Sequence, residues 1–350
     1  MNFTNKLAVS LCILSASTLM YGCGSGSSTS STTTPAGPSG KLTQGPVLGA
    51  SVFADNVSGG SRFNLDSGEI SATTSMTTGD FVLPSAPTYD YILVSKGGTD
   101  KLTGQAAIQM IAPAGSANIT PITTLVALDT TGSVKAKLEA LMPAGAKFDT
   151  DISTTASPAI LLLAKSMEST VYAMTQSVTT SAGSATISSA QIASIQAQTM
   201  QAIAVELAKP AVMSATLQTP AGLTTSLQAA VTSAVATINN TSNTNINIPA
   251  ATASTIAATV VDASATMLNI GATAALTTIT GGEGAVVTSA IAATFTTAVT
   301  AAVTIASSTV TATATPTDYV APVTLVVTPQ ITPGVTGSTG GTSGGTGTTF

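Results

Sequence analysis

The sequence predicts an α+β protein: an N-terminal antiparallel β-sandwich followed by an Ala/Thr-rich α-helical bundle or array. Between about residues 46 and 111, short strand-like runs alternate with Gly, Asp and Pro turns, which is typical of antiparallel sheets. From Gly132 onward, apolar residues recur at spacings of three and four, the period of a helix with one buried face. The chain has 350 residues, enough to bury a core of either kind.

Charge is scarce along the whole chain. Only 7% of the residues are charged, against roughly 25% in an average globular protein, and there is no His and no Trp. Ser and Thr must therefore solvate much of the surface, a usage that suits an extracellular protein. The formal net charge is -5, and no Lys or Arg follows Lys209. Because nucleic-acid binding needs a basic stripe that neutralises phosphates, nucleic-acid partners are excluded.

The N-terminus has the pattern of an export signal. Lys6 precedes an apolar run from Leu7 to Met20, which is too short for a comfortable membrane span. The run ends in LMYGC, and this ending resembles the lipobox of bacterial lipoproteins. The resemblance implies cleavage before Cys23, palmitate and related lipid on that cysteine, and an outer-membrane or cell-surface location with the membrane as partner through the lipid. The alternative is an ordinary signal peptide in which Cys23 is incidental.

Composition divides the chain into six segments. The flexible linker and the tail are low-complexity Gly/Ser/Thr sequence, which cannot bury a core. The predicted segments are a signal peptide (1–22), a flexible linker (23–43), a β-sandwich (44–128), an α-helical domain (129–310), a short strand-like segment (311–333) and a disordered Gly/Thr tail (334–350).

The predicted sandwich carries three short motifs, GPVLGASVFAD, LDSGE and ATTSMTTGDFVLP. Together they resemble the carboxypeptidase-regulatory-like and Cna B-type surface domains, which are prealbumin-like sandwiches of bacterial surface proteins. The match covers roughly residues 46 to 95. Further along, a TPITTLV turn resembles the point at which such proteins pass into a helix. The resemblance implies a surface domain with adhesion among its roles.

Some of these relatives bind calcium before the LDSGE-like loop, and the resemblance implies four candidate ligands here. Calcium takes six to eight oxygen ligands, which closely spaced acidic and amide side chains supply. The candidates are Asp55, Asn64, Asp66 and Glu69. Arg62 brings a positive charge into the same loop, so turn-stabilising contacts of these side chains are the favoured alternative. No other cofactor is expected.

Six apolar stripes predict helices after Gly132. Ser133 is the expected cap of the first, and Ser157-Pro158 is a start signal for the second. Pro210 ends the third, and Asn239-Asn240 ends the fourth. The fifth begins near Ile256, and the sixth runs from Val287 to Ile305. Since Thr and Val lower helix propensity, a strand-rich last third stays open.

No catalytic constellation is visible. Without His there is no imidazole base, and the body after Cys23 has no thiol nucleophile. A Ser/Lys or two-carboxylate site assembled by folding stays open. The sequence thus predicts a non-enzymatic surface lipoprotein with an adhesion, matrix or envelope role, whose partners are surface polymers or other envelope proteins. Two alternatives are a carbohydrate- or polymer-binding accessory module and a structural envelope or filament subunit.

Overall fold

The computed structural model describes residues 37–101, 103–152, 158–182, 187–217, 219–240, 246–258, 260–261 and 311–312. Cys23, the signal peptide, most of the predicted linker, the sixth predicted helix and the Gly/Thr tail lie outside these residues. The described part contains both sheets and helices, which confirms the α+β class.

Among the described residues, nine short strands precede the first helix. They are β1 (Ser39–Leu42), β2 (Val47–Leu48), β3 (Ser51–Asn56), β4 (Ser71–Thr73), β5 (Asp80–Val82), β6 (Tyr91–Lys96), β7 (Thr99–Asp100), β8 (Met110–Pro113) and β9 (Asn118–Ile119). The largest sheet has the order β4-β3-β6-β8 and is antiparallel throughout. A second sheet has the order β5-β1-β9, in which β1 runs antiparallel to β5 and parallel to β9, and β2 pairs with β7. A sandwich of these sheets stays a prediction.

The central strands of the large sheet are buried on both faces. Residues Val52 to Asp55 of β3 and Ile92 to Ser95 of β6 are all buried, whichever side they face. Such continuous burial is typical of a sheet covered on both sides, and not of one with a solvated face. The sheet is therefore an inner layer, and α1, which follows β9, contacts it at β8.

Strand β1 lies inside the predicted linker. Its residues Ser39 to Leu42 pair with β5 and β9, so the paired strands begin before residue 44, the predicted start of the sandwich. Gly40 is suited to this position because a Cβ there would overlap the carbonyl oxygen of Ala117. Close backbone approach thus explains a glycine that composition alone groups with the linker.

Six helices with defined bounds follow in the part of the chain that the structure describes, and their starts and ends obey local signals. They are α1 (Pro121–Leu128), α2 (Ser133–Glu139), α3 (Pro158–Ser181), α4 (Ser189–Ala208), α5 (Ser214–Leu217) and α6 (Pro220–Asn240). Thr120 and Ser188 form capping boxes with Thr123 and Gln191 at the starts of α1 and α4. The predicted cap Ser133 is instead the first helical residue of α2. Gly132 is the N-cap, and the Asp129 carboxylate accepts the Val134 N–H at 2.7 Å.

The rest of the described chain continues this pattern. Residues 250–258 and 260–261 are helical, as the fifth stripe predicts, and its later part lies outside the described residues. Strand β10 (Ile246–Asn247) pairs with β11 (Thr311–Ala312), at the start of the predicted strand-like segment. Among the residues that the structure describes, no helix combines the length and the apolarity that a membrane crossing requires.

One hydrophobic core extends across the predicted boundary at residue 128. It contains Phe53 and Ile92 of the large sheet together with Leu125 of α1, Met167 of α3 and Leu227 of α6. A second, smaller cluster lies farther along the helices, around Val178, Val235 and Ile256. Because the sheets and helices share a core, they are expected to unfold together.

Candidate functional site

The end of β3 and the loop between β3 and β4 contain all four predicted calcium ligands. Asp55, at the end of β3, is fully buried, and its Oδ2 accepts the N–H of Phe63 at 3.2 Å. Arg62 Nη1 lies 3.9 Å from the same Oδ2, which is a long ion pair. Asp55 Oδ1 has no hydrogen-bond partner. Phe63 holds a positive φ of 62°, a conformation that costs energy for a bulky residue.

The other candidate oxygens bind the protein chain itself. Glu69 accepts the N–H of Asn56 at 2.7 Å through Oε1 and the N–H of Asp66 at 2.9 Å through Oε2. Asp66 Oδ2 accepts the N–H of Ser61 at 2.5 Å. Asn64 Oδ1 accepts a hydrogen bond from Lys96 Nζ at 3.0 Å. These contacts are those of a carboxylate-stabilised turn, the alternative that the sequence favours.

The electrostatics of the loop favour the uncharged form of the Asp55 carboxyl group. Burial raises the pKa of Asp55 from 3.8 to about 7; the Phe63 hydrogen bond opposes this rise, and the charge of Glu69 adds to it. Within the described ranges, no group of three or more His, Cys, Asp or Glu residues is arranged to hold a metal ion. Calcium binding by this loop stays a prediction.

A cavity of about 20 Å³ lies beside the loop. Phe63 from the loop, Leu128 from α1 and Met200 from α4 are among the residues that line it. Such a volume holds about one water molecule and no organic ligand. Phe63 is thus a packing residue between the loop and the helices, and Gln109, which also lines the cavity, donates from Nε2 to the Phe63 carbonyl at 3.0 Å.

Folding also assembles a charged cluster that the sequence does not predict. Lys165 on α3 lies 2.8 Å from Glu168 Oε2, one turn along the same helix, and 3.3 Å from Asp100 Oδ2 on β7. Gln44, between β1 and β2, donates to Glu168 Oε1 at 3.2 Å, and Thr103 donates to Asp100 Oδ2 at 2.8 Å. We call Lys165, Asp100 and Glu168 the buried triad.

The triad is closed to solvent. The side chains of Lys165, Asp100 and Glu168 are 1%, 0% and 2% exposed, so no substrate reaches them in this conformation. Burial by itself lowers the pKa of Lys165, but the charges of Glu168 and Asp100 outweigh burial and the pKa is raised. Lys165 is therefore a cation in the fold and lacks the free amine lone pair that a nucleophile needs.

Sequence spacing gives one clue to the triad. Lys165 and Glu168 are three residues apart, so they lie on one face of a helix, but that face is beside the apolar stripe of α3 and not on it. The sequence therefore does not show that the pair is buried, and nothing in it identifies the further partners as Asp100 and Gln44, 65 and 124 residues from their partners. Comparisons of the chain with protein-family models, curated proteins and solved structures found no match.

Proposed function

We propose that this chain is a non-enzymatic surface lipoprotein with an adhesion, matrix or envelope role. Its location is the outer membrane or the cell surface, where lipid on Cys23 anchors the folded body through a Gly/Ser/Thr linker. The resemblance of the N-terminus to a lipobox supports this location. The observation that carries the role is the uncharged exposed face of α6 and of the helical residues 250–258.

That face is neutral along its whole described length. The exposed residues of α6 and of the helical residues 250–258 are all uncharged: Ala221, Thr225, Gln228, Thr232, Ser233, Ala236, Thr237, Asn239, Ala250, Ala251, Ser254, Thr255 and Ala258. A surface without charge does not steer charged partners. It suits neutral polymers such as surface polysaccharide.

The hydroxyl groups of this face are turned toward their own helices. Thr225, Thr232 and Thr237 each donate to the carbonyl oxygen four residues earlier, at 2.9, 2.9 and 3.0 Å. Ser254 and Thr255 do the same. Because the hydroxyl hydrogens are engaged, the threonines offer mainly methyl groups and acceptor oxygens to a partner. This favours broad, weak contact over the recognition of one small ligand.

The same reasoning supports two narrower alternatives. A carbohydrate- or polymer-binding accessory module fits the neutral face, although the chain has few aromatic platforms, with 3% Phe, Trp and Tyr. A structural envelope or filament subunit fits it as well, since small uncharged side chains allow close approach of neighbouring chains. A non-enzymatic role is supported by the buried triad, because its charged groups pair with one another and do not face an open cleft.

We also propose that the two sheets form a prealbumin-like sandwich. The short antiparallel strands in the order β4-β3-β6-β8 support this arrangement, as do the strand-turn motifs on which the family resemblance rests. A crystal structure in which the sheet β5-β1-β9 does not pack face to face on the large sheet would contradict it.

The lipid anchoring is tested by metabolic palmitate labelling of the wild type and of Cys23→Ser, with and without globomycin. We expect label in the wild type only, and precursor accumulation with globomycin. An unlabelled wild-type chain would overturn the anchoring. The role is tested by deleting the gene and measuring attachment, aggregation and matrix composition, with a plasmid copy as control. Unchanged values in all three assays would refute it.

A further inference from the structure

The buried triad contains two acidic groups and one basic group. The charged groups that face Glu168 are Lys165 from its own helix and Asp100 from β7, while Gln44 and Thr103 add uncharged polar atoms. If all three charged groups were ionised, the cluster would carry an uncompensated negative charge away from water. An unpaired buried charge is among the costliest features in a protein interior.

The two carboxyl groups also lie close together. Each has an oxygen within 3.3 Å of the same Lys165 nitrogen. Two carboxylates that share one buried cation repel each other, so a proton on one of them removes both the repulsion and the uncompensated charge. Glu168 is the group that holds this proton, because burial raises its pKa.

We propose that Glu168, which lies beside Lys165 and Asp100, holds one buried proton at neutral pH, and that this proton locks β7 onto α3. With the proton in place, the triad is one cation, one anion and one neutral acid. Its hydrogen bonds then connect β7 and the β1–β2 turn to the middle of α3. Loss of the proton leaves two anions on one lysine, so the contact loosens as the pH rises.

The pH range follows from the Glu168 carboxyl group. Burial raises its pKa from 4.5 to about 8; Lys165 opposes the rise and Asp100 adds to it. A folded-state pKa above the unfolded value means that the folded chain holds a proton which the unfolded chain has released. The lock therefore contributes fully below about pH 4.5, weakens progressively as the pH rises, and is lost above about pH 8.

The proton can be seen directly by infrared spectroscopy. A protonated carboxyl group has a C=O stretch separate from those of carboxylates and backbone amides. Because Asp55 also has a raised pKa, the measurement uses the full chain carrying Asp55→Asn. At pH 7 we expect one protonated-carboxyl band that disappears with a midpoint near pH 8, and that is absent from Asp55→Asn/Glu168→Gln. A spectrum without the band, or a band that survives Glu168→Gln, would overturn the proposal.

The lock can be measured by urea unfolding of the same proteins between pH 5 and 9. In the Asp55→Asn background, one extra bound proton raises the unfolding constant by up to about tenfold for each pH unit from 5 to 8. Glu168→Gln should remove that dependence, whereas the control Glu139→Gln should keep it. Identical pH profiles with and without Glu168→Gln would contradict the lock. If the Gln variant does not fold, the band and midpoint in Asp55→Asn decide.

Discussion

Replacement of Asp55 by Asn is expected to stabilise the protein at pH 8, although it removes one partner of an ion pair. The carboxyl group is buried, one of its oxygens lacks a hydrogen-bond partner, and Arg62 is 3.9 Å away. Burial of the charge therefore costs more than the distant guanidinium returns. Asn keeps the side-chain oxygen that can accept the Phe63 N–H and carries no charge.

The magnitude follows from the pKa of Asp55. A rise from 3.8 in the unfolded chain to about 7 in the fold corresponds to about 4 kcal/mol, at about 1.4 kcal/mol for each pH unit. The folded state favours the protonated acid, so this destabilisation is absent below about pH 4, grows as the pH rises, and is complete above about pH 7. The Asn amide must itself find an acceptor, which reduces the gain to about 2 to 4 kcal/mol at pH 8.

The assay is urea unfolding of wild type and Asp55→Asn at pH 4.5 and pH 8. We expect a small difference at pH 4.5 and a clear stabilisation of the variant at pH 8. Asp66→Asn is the matched control, since its carboxylate accepts Ser61 N–H at the loop surface; it should cost about 1 kcal/mol. If Asp55→Asn is less stable than wild type at pH 8, the Arg62 ion pair outweighs burial and the reasoning is wrong.

Three further substitutions test individual contacts by urea unfolding. Lys137→Met removes hydrogen bonds to the carbonyl oxygens of Leu207 and Lys209 at 2.6 and 2.7 Å. It should therefore lower the free energy of unfolding by about 1 to 3 kcal/mol. Unchanged stability would show that water replaces the lost hydrogen bonds. Ser188→Ala breaks the capping box of α4 and should lower the free energy of unfolding by about 1 kcal/mol. The exposed control Ser254→Ala should lower it less. Equal losses of stability in the two variants would argue against the cap. Gly40→Ala places a Cβ against the Ala117 carbonyl and should cost about 1 to 3 kcal/mol, and full stability would mean that β1 and β9 can separate freely.

The helices were the most predictable elements because their signals are local. The stripe behind Pro158 became α3, the one before Pro210 became α4, and the one that ends at Asn240 became α6. Each depends on periodicity plus a start or stop residue within the same segment. The cap of α2 failed for a physical reason. Asp129, four residues before Ser133, reaches the free N–H of Val134, so a longer acidic side chain replaced the expected hydroxyl.

The β region was less predictable because its decisive contacts are long-range. Strand β1 looks like linker, since a Gly between Ser and Lys has no strand signal of its own. It becomes a strand only because β5 and β9 lie beside it. The sequence favours turn contacts for the carboxylates of the loop after β3, yet it cannot show which backbone N–H groups engage those oxygens. Only the fold places Asn56, Ser61 and Phe63 close enough to do so.

Part of the scarce charge in this protein is buried, where it selects contacts. The chain has 10 basic and 15 acidic residues, and among the described residues Asp55, Asp100, Lys165 and Glu168 are buried. Burial of a charge costs free energy that a surface position avoids. The exposed residues of α6 and of residues 250–258 are uncharged, and the buried charges lie at the end of β3 and between β7 and α3. Each buried charge needs its specific partners, so a wrong pairing of sheets and helices would leave it uncompensated. Buried charge can thus specify how the β region and the helices assemble, while Ser and Thr provide the surface.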